Sequence, residues 1–313
     1  PYPKTPELMS KTFYLTTPIY YVNDKPHIGH AYTTILADVL ARYHRNAGRE
    51  TFFLTGLDEH GQKVQQAAED RGIEPLQHCD EMAPRFIDLW EKLHISYDDF
   101  IRTTENRHKI IVQMFLQKVY DAGDIYEDEY EGLYSISEER FITEKEAESD
   151  EFRDIKKLKE KNYFFKMGKY QDALIDHIKS NPKFIQPEHR KNEILGFLRQ
   201  PLNDLCVSRP KSRLNWGIEL PFDKEYVTYV WFDALINYIT SPGFGKDHES
   251  FDKWWPVSYH LIGKDILTTH AVYWPTMLMS ADIELPQSIF AHGWWLMGAV
   301  SYTHLTLPTS DLV

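Results

Sequence analysis

The chain has 313 residues, 42% of them hydrophobic and 26% charged, which suits two ordinary domains or one large α/β domain with an insertion. Its formal charge of −12 argues against a general nucleic-acid coating protein, so a polyanionic partner would need a local basic patch. No apolar run approaches the roughly 20 residues of a membrane span, and no signal-peptide pattern is present. From the missing apolar run we expect no membrane partner. Cys79 and Cys206 lie far apart and form no Cys-x-x-Cys pair, so we expect a protein of the reducing cytoplasm.

The N-terminal part of the chain alternates between strand and helix patterns. Thr12–Thr17 predicts a buried strand, and a turn at Val22–Pro26 leads into a helix over His27–Ala47. Thr51–Thr55 predicts a second strand, and Gln62–Asp70 predicts a second helix. This order is typical of a doubly wound parallel sheet, in which ligands bind at the carboxyl ends of the strands.

The pattern changes after about Val119. Short strands and turns are predicted over Tyr126–Ile142, followed by a charged stretch at Lys156–Lys161 and by helices over Tyr170–Ser180 and Pro187–Gln200. This part of the chain is interpreted as an inserted domain.

Parallel-sheet character is predicted to return near the C-terminal end of the chain. The predicted elements are a strand over Tyr226–Trp231, a helix over Ala234–Thr240, a strand over Ser258–Ile262, a turn at Gly263–Asp265 and a helix over Ile266–Ser280. One sheet interrupted by an insertion accounts for all of them.

His27, Gly29 and His30 stand at the start of the first predicted helix. Imidazoles three residues apart share a helix face, and the free N–H groups and dipole of a helix N-terminus favour a phosphate. Gly29 would let a base or ribose approach the backbone. Such donors suit nucleotidyl transfer, although two surface or capping histidines would give the same pattern.

Several motifs, in the same order, resemble those of methionyl-tRNA synthetases, a family of class I aminoacyl-tRNA synthetases. They are Thr16–His30 (TTPIYYVNDKPHIGH), Leu54–Gly61 (LTGLDEHG), Ser208–Leu220 (SRPKSRLNWGIEL), Val227–Tyr238 (VTYVWFDALINY) and His260–Leu278 (HLIGKDILTTHAVYWPTML). Other class I synthetases share the His-x-Gly-His element but not this full set. The resemblance implies an α/β fold, a Rossmann-like doubly wound parallel sheet interrupted by an inserted connective-peptide domain.

The resemblance also implies boundaries and a function. Residues 1–118 and 226–299 would form the two halves of the catalytic domain, residues 119–225 the insertion, and residues 300–313 a tail. The implied ligase activates L-methionine with ATP and Mg²⁺ to methionyl-adenylate. It then transfers methionine to the acceptor end of tRNA(Met).

Residue roles follow from the matched motifs. His27, His30 and Arg209 would be catalytic, and the ATP site would consist of His27, Gly29, His30, Gly263, Lys264 and Asp265. The methionine pocket would consist of Pro18, Ile19, Tyr21, Asp58, Trp231, Ala234, Leu235, Tyr238, Ile266 and His270. Asp58 would pair with the α-ammonium, and the aromatic wall would suit a thioether. From the residues alone, Asp58 could instead be a solvated loop acid, Trp231 and Tyr238 core aromatics, and Arg209 part of a structural ion pair.

Many members of that family carry a zinc knuckle that begins with a Cys-x-x-Cys pair. At the matching place, Gly132–Phe141 (GLYSISEERF) has Ser135 and Glu138 where thiolates would stand. Serine is a poor zinc ligand and one carboxylate cannot close a structural site, so we expect no structural zinc and no other metal site in the chain.

The end of the chain departs from the pattern as well. Ile289–Gly298 resembles the strand that leads to the family's Lys-Met-Ser-Lys-Ser loop, yet Val300–Val313 contains no lysine and resembles a translated sequencing adapter. We expect a C-terminally truncated chain with a non-native tail, without that loop or the anticodon-binding domain, and poorly active alone. A divergent natural C-terminus is the other interpretation.

Three other functions stay open. A class I synthetase for an aliphatic amino acid or cysteine would have the same fold, and a small-molecule nucleotidylyltransferase would use the same helix without binding an amino acid. A non-enzymatic fragment could bind tRNA or another partner. Lys156, Lys157, Lys159 and Lys161 could meet the acceptor end, although a charge run is usually a solvated face.

Overall fold

The computed structural model describes residues 11–135, 140–142, 147, 154–293, 296–297 and 300–301. The strands are β1 (Thr12–Tyr21), β2 (Glu50–Asp58), β3 (Asp99–Arg102), β4 (Ile125–Ser135), β5 (Arg140–Ile142), β6 (Ile155–Phe165), β7 (Ile185–Gln186), β8 (Leu205–Cys206), β9 (Ser208–Pro210), β10 (Tyr226–Thr228), β11 (Tyr259–Gly263), β12 (Ile289–His292), β13 (Leu296–Met297) and β14 (Val300–Ser301).

The helices lie between these strands along the chain, in some places two or three in succession. They are α1 (Ile28–Asn46), α2 (Gln62–Arg71), α3 (Pro75–Lys92), α4 (Asn106–Asp121), α5 (Gln171–Ser180), α6 (Glu188–Phe197), α7 (Val230–Leu235), α8 (Asn237–Thr240), α9 (His248–Trp254) and α10 (Trp274–Ser280). Short 3₁₀ segments cover Met167–Tyr170 and Lys264–Ile266, and a π-helical segment at Thr269–Tyr273 leads directly into α10. Within the described residues, no helix is both long and apolar enough to cross a bilayer.

The main sheet has six strands in the order β3-β2-β1-β11-β12-β7, and every neighbouring pair is parallel. From β1 the chain continues to β2 and β3 on one side, whereas from β11 it continues to β12 on the other. The doubly wound parallel sheet predicted from the sequence is confirmed. A crevice is expected at the carboxyl ends of β1 and β11, because the connections leave these two neighbours in opposite directions.

The interior of the sheet explains why β1 and α1 form where they do. Phe13 and Leu15 of β1 are buried together with Phe53 and Leu261 from the neighbouring strands. Ala37 and Ala41 of α1 are 0% exposed in the same cluster. Because alanine side chains are small, α1 lies close over the sheet, which places its N-terminus beside the carboxyl end of β1.

The predicted insertion contains an antiparallel sheet in the order β5-β4-β6-β8. Its two long strands pair from Ile125 opposite Phe165 to Ser135 opposite Ile155. The charged stretch Lys156–Lys161 therefore lies in β6. From within the same range, β7 pairs with β12 of the main sheet. The boundaries of the insertion remain a prediction.

The strand predicted over Tyr226–Trp231 is wrong in extent and in partner. β10 ends at Thr228 and pairs antiparallel with β9 outside the main sheet, and α7 begins at Val230. A short apolar run is buried in either a helix or a strand, so periodicity alone cannot separate the two. Glu138 and residues 302–313, which carry part of the zinc prediction and most of the predicted tail, lie outside the described residues.

Candidate active site

A cavity of about 680 Å³ lies at the carboxyl ends of β1, β2 and β11, where the switch point predicts a ligand site. It brings together all but two of the site residues predicted from the sequence. Those that line it are Pro18, Ile19, Tyr21, His27, Gly29, His30, Asp58, Trp231, Ala234, Leu235, Tyr238, Gly263, Asp265, Ile266 and His270. The predicted methionine and ATP residues therefore share one cavity.

Arg209 and Lys264 are the two predicted residues that do not line the cavity. The Arg209 guanidinium lies over the Tyr229 ring, 4.6 Å from its centroid, and donates to the Ser208 carbonyl at 2.7 Å. Arg209 is 2% exposed, so its side chain is enclosed by its own strand and this ring. This position is compatible with a structural role, and the expected catalytic role of Arg209 stays a prediction. Lys264 is half-buried in the 3₁₀ segment after β11.

His27 and His30 form a reciprocal cap at the start of α1. His27 Nδ1 accepts from the Gly29 amide at 3.1 Å, and His30 Nδ1 accepts from the His27 amide at 3.3 Å. The two rings stack with centroids 3.6 Å apart. In a neutral ring whose Nδ1 accepts, the proton is on Nε2. The capping interpretation is therefore correct, and it also makes Nε2–H the donor of each ring.

Gly29 packs tightly against this cap. An added Cβ would lie 3.0 Å from both Cε1 and Nδ1 of His27, so the imidazole already fills the space that a side chain would take. The Gly29 amide is bonded to the His27 ring. The expected close approach of a base or ribose to Gly29, which lines the cavity, stays a prediction.

Asp58, Glu59 and His60 follow one another at the end of β2, and their side chains point in different directions. Asp58 lines the cavity and is 3% exposed. Glu59 lies on the other side, where it pairs with Arg102 at 2.6 Å and accepts from the Thr104 hydroxyl. Burial raises the pKa of Glu59, and the bonds from Thr104 and Arg102 oppose that rise. His60 does not line the cavity and bonds to Asp233.

The floor of the cavity is a neutral pair. His270 Nδ1 lies 3.0 Å from the Ile266 carbonyl, which can only accept, so Nδ1 carries the proton. His270 Nε2 then accepts from the Tyr238 hydroxyl at 2.8 Å. Burial lowers the pKa of His270 to about 4 and raises the pKa of Tyr238 above its ordinary range. Both side chains are therefore uncharged near pH 7.

A second buried histidine supports this floor. His260 Nε2 accepts from the Trp274 indole at 3.2 Å, so His260 Nδ1 is the donor to the Thr16 hydroxyl at 2.7 Å. Burial lowers the pKa of His260 well below its usual value, with a further contribution from His270. The chain of bonds joins β1, β11 and α10 directly beneath the cavity.

Several lining residues were not predicted from the sequence, among them Tyr32, Thr33, Lys63 and His292. Tyr32 and Thr33 lie three and four residues after Gly29 in α1, so helical spacing could have identified them. His292 Nε2 lies 2.7 Å from the Thr33 hydroxyl, and its ring meets Tyr32 edge-on at 4.7 Å. Its place in the cavity depends on sheet order, which no local pattern contains. Over the described residues, no group of three or more His, Cys, Asp or Glu side chains could hold a metal ion.

Comparisons with known proteins show which family the chain belongs to. The family model for class I tRNA synthetases (M) matches residues 13–151 and 149–301. The methionine–tRNA ligase of Fusobacterium nucleatum is 53% identical over 294 residues, covering 92% of this chain and 46% of that protein. That of Rickettsia bellii is 50% identical, covering 92% of this chain and 57% of its own. The chain thus spans about half the length of these relatives.

Solved structures give the same result. Mycobacterium tuberculosis methionyl-tRNA synthetase in complex with methionyl-adenylate superimposes with a TM-score of 0.87 at 44% identity, covering 91% of this chain and 57% of that one. The apo form of the same enzyme superimposes with a TM-score of 0.77 at 41% identity, covering 92% of this chain and 57% of its own. The chain belongs to the class I tRNA synthetases (M), the family that its motifs resemble.

Proposed function

We propose that this chain forms a catalytic region of a methionine–tRNA ligase. ATP, entering as its Mg²⁺ complex, converts L-methionine to methionyl-adenylate, and the acceptor end of tRNA(Met) then receives the methionyl group. The observation that carries the proposal is the shared cavity, which holds Asp58, the capped histidine pair and the neutral Tyr238–His270 floor together.

The methionine end of the cavity suits an amino acid with an uncharged side chain. The Asp58 carboxylate supplies a counter-charge for the α-ammonium, which a buried ammonium needs. Trp231 and Tyr238 line the cavity beside the neutral floor, and sulfur–aromatic contacts contribute about 0.3–1.5 kcal/mol. Because a side-chain charge would have no partner at this floor, lysine, arginine, aspartate and glutamate are disfavoured.

The ATP end suits attack on the α-phosphate. The methionine carboxylate oxygen bonds to the α-phosphorus, and pyrophosphate leaves. His27 and His30 both line the cavity, and their Nε2–H groups are donors for the charge that builds on the α-phosphate oxygens. Loss of one such donor typically costs about 3 kcal/mol in the barrier. Gly263 and Asp265, at the end of β11, are proposed to contact the ribose or adenylate.

The relatives favour methionine over the other substrates considered. The matched proteins from two bacteria are methionine–tRNA ligases, and the matched solved enzyme binds methionyl-adenylate. A synthetase for leucine, valine or cysteine would respond most to that amino acid, and a small-molecule nucleotidylyltransferase would respond to none.

Thermal unfolding of this chain with added ligands tests the proposal. A ligand at a hundred times its Kd stabilises the folded state by about 2.7 kcal/mol, a rise in Tm of about 5 °C or more for a chain of this size. We expect such a rise with methionine and with ATP, and a smaller one with leucine, valine or cysteine. An equal or larger response to one of those three would overturn the methionine assignment.

Two matched carboxylate variants separate the two ends of the cavity. Asp58→Asn should abolish the response to methionine and keep the response to ATP, because only the counter-charge for the ammonium is removed. Asp265→Asn should do the reverse. If both variants lose both responses, the two ligands do not divide the cavity as proposed.

We also propose that residues 119–225 form an inserted connective-peptide domain without structural zinc. Ser135, at the matching place of a knuckle thiolate, is 0% exposed in β4 and stands opposite Ile155 of β6. Elemental analysis of purified protein is expected to find far less than one zinc per chain. Stoichiometric zinc that a chelator removes with loss of stability would contradict this.

A further inference from the structure

A buried carboxylate joins three separate parts of the chain behind the cavity. Asp233 Oδ2 accepts from His60 Nδ1 at 2.6 Å, and Asp233 Oδ1 accepts from His108 Nε2 at 2.7 Å. Asp233 and His108 are 0% exposed and His60 is 4% exposed. Because a carboxylate only accepts, both facing ring nitrogens carry protons. Burial raises the pKa of Asp233, but the two histidines outweigh it and the net shift is downward.

Asp233 lies on the back of the helix that forms one cavity wall. Trp231 and Ala234 of α7 line the cavity, whereas Asp233 does not. Residues two apart on a helix point about 200° from each other, so Asp233 and Trp231 occupy opposite faces. A bond to Asp233 therefore fixes α7 from behind without touching the ligand.

His60 connects the same carboxylate to the opposite wall. Asp58, the last residue of β2, lines the cavity, and His60 follows it by two residues. The Trp216 ring packs against the His60 ring with centroids 5.4 Å apart, and the Trp216 indole donates to the Glu59 carbonyl at 2.5 Å. This segment is thus held on both sides, and its tie to α7 is the His60–Asp233 bond.

We propose that Asp233 is a positioning residue that sets the separation between the Asp58 and Trp231 walls of the methionine pocket. His60 ties Asp233 to the end of β2, and His108 ties it to α4. The inference rests on the proposed methionine site. A buried, hydrogen-bonded carboxylate is weak support for stability compared with apolar packing, and the orientation of the two walls is the property that these directional bonds supply.

The test compares two buried aspartates in the full chain. Asp233→Asn removes the charge behind α7. Asp124→Asn is the matched control, because Asp124 is 2% exposed, accepts from Lys169 at 2.7 Å and from Ser280 at 2.8 Å, and does not line the cavity. Both variants are expected to unfold at lower urea concentration than the original chain.

Only Asp233→Asn is expected to weaken methionine binding, measured by calorimetry. Mutations in a side-chain network that reaches a binding site typically change the coupling by about twofold to thirtyfold, so we expect a loss of methionine affinity in that range. ATP binding at the other end of the cavity should be unchanged. Unchanged methionine affinity in Asp233→Asn, or an equal loss in Asp124→Asn, would overturn the proposal.

A second readout does not depend on the ligand. Acrylamide quenching of Trp231, isolated by subtracting the signal of Trp231→Phe proteins, should increase in Asp233→Asn and not in Asp124→Asn. If the original chain binds no methionine, the proposed function fails, while unchanged quenching would refute the positioning role separately. Should Asp233→Asn fail to fold, His60→Phe replaces it, because phenylalanine has no donor, so that variant breaks only the tie to β2 and leaves the His108 bond in place.

Discussion

His27 and His30 each use one ring nitrogen for the backbone of α1, and this decides which nitrogen carries the proton. Capping and phosphate binding were alternative interpretations of the same sequence pattern. In the structure the cap orients the two Nε2–H donors, so capping and the proposed phosphate binding would use different atoms of the same rings. The same logic holds for His270, whose Nδ1 bond to a carbonyl makes Nε2 the acceptor for Tyr238.

Gly29→Ala is expected to weaken ATP binding and to leave methionine binding unchanged, because the new Cβ, 3.0 Å from the His27 ring, displaces that ring. Loss of a helix cap typically costs about 0.5–2 kcal/mol of stability. Titration calorimetry with each ligand measures the effect.

The matched control is Gly196→Ala in α6, where an added Cβ meets nothing within 4 Å. That change should stabilise the chain by about 0.4–1 kcal/mol. Equal ATP affinity in Gly29→Ala and the original chain would contradict the ring-displacement argument.

The low pKa of His270 predicts a specific dependence of stability on pH. Burial lowers this pKa from 6.5 to about 4, so the neutral ring is favoured in the folded state. Between pH 6.5 and 4 the unfolded chain binds more protons, and stability is lost as the pH falls through that window. The full loss is about 3 kcal/mol for this one group.

Urea unfolding of the original chain and of His270→Asn at several pH values isolates this contribution. The stability difference between the two proteins should be constant above pH 6.5 and should change by up to about 1.4 kcal/mol per pH unit below it. A difference that stays flat from pH 7.5 to 4 would show that His270 titrates normally. Carboxylates that titrate in this range affect both proteins alike.

Among the secondary structure elements, the β4–β6 hairpin changes the interpretation of the lysine-rich stretch. Lys157, Lys159 and Lys161 face Glu131, Glu129 and Glu127 across the strands, with Nζ–Oε distances of 2.8, 3.2 and 2.6 Å. The alternation of lysine in β6 matches an alternation of glutamate in β4. This hairpin face is therefore close to neutral, which disfavours it as a phosphate-binding surface.

Replacing Glu127, Glu129 and Glu131 together by glutamine should release the three lysines for RNA. We expect tighter binding of an acceptor-stem RNA hairpin, and a log–log salt slope that steepens by about 0.7–0.9 for each lysine that meets a phosphate. Adding Lys157→Ala, Lys159→Ala and Lys161→Ala should remove the gain. If the three alanines weaken RNA binding in the otherwise original chain, the lysines were already available and the pairing argument is wrong.

The elements that could be predicted are those whose local sequence pattern is compatible with only one type of secondary structure. β1, α1 and β2 combine a clear hydrophobic period with turn residues, and their predicted positions agree with the structure to within a few residues at most ends. Thr17 was predicted as the end of β1, yet the strand continues to Tyr21, because pairing with β2 extends it beyond its most apolar part. For α7, the buried run around Trp231 fits a helix or a strand, and only tertiary packing selects the helix. The Asp233 tie joins residues 173 and 125 positions apart, which no local pattern contains.

Viewed as a whole molecule, the main sheet and the predicted insertion share one apolar core. Phe165 of β6 packs against Phe232 of α7 with ring centroids 6.2 Å apart, and both belong to a cluster that includes Ile178 and Leu278. Asp124, at the start of β4, accepts from Ser280 of α10 and from Lys169. The insertion is therefore attached to the sheet by its interior as well as by its ends.

This shared core predicts one cooperative unfolding transition. Urea unfolding followed by tryptophan fluorescence and by far-ultraviolet circular dichroism should give the same midpoint, because neither part can lose its packing alone. Separate midpoints, with an early change confined to residues 119–225 in hydrogen exchange, would mean that the insertion unfolds as an independent unit.

The neighbour of β1 on one side is β11, and the bond between Thr16 and His260 spans 244 positions of sequence. During synthesis, β1 emerges from the ribosome long before the strand that completes it. Until then the backbone N–H and C=O groups along one edge of β1 stay unpaired. An unpaired strand edge with apolar side chains is the kind of surface that aggregates or recruits chaperones. The same sheet order that creates a ligand crevice therefore delays this crevice until β11 has been made, and exposes β1 while the chain is still being synthesised.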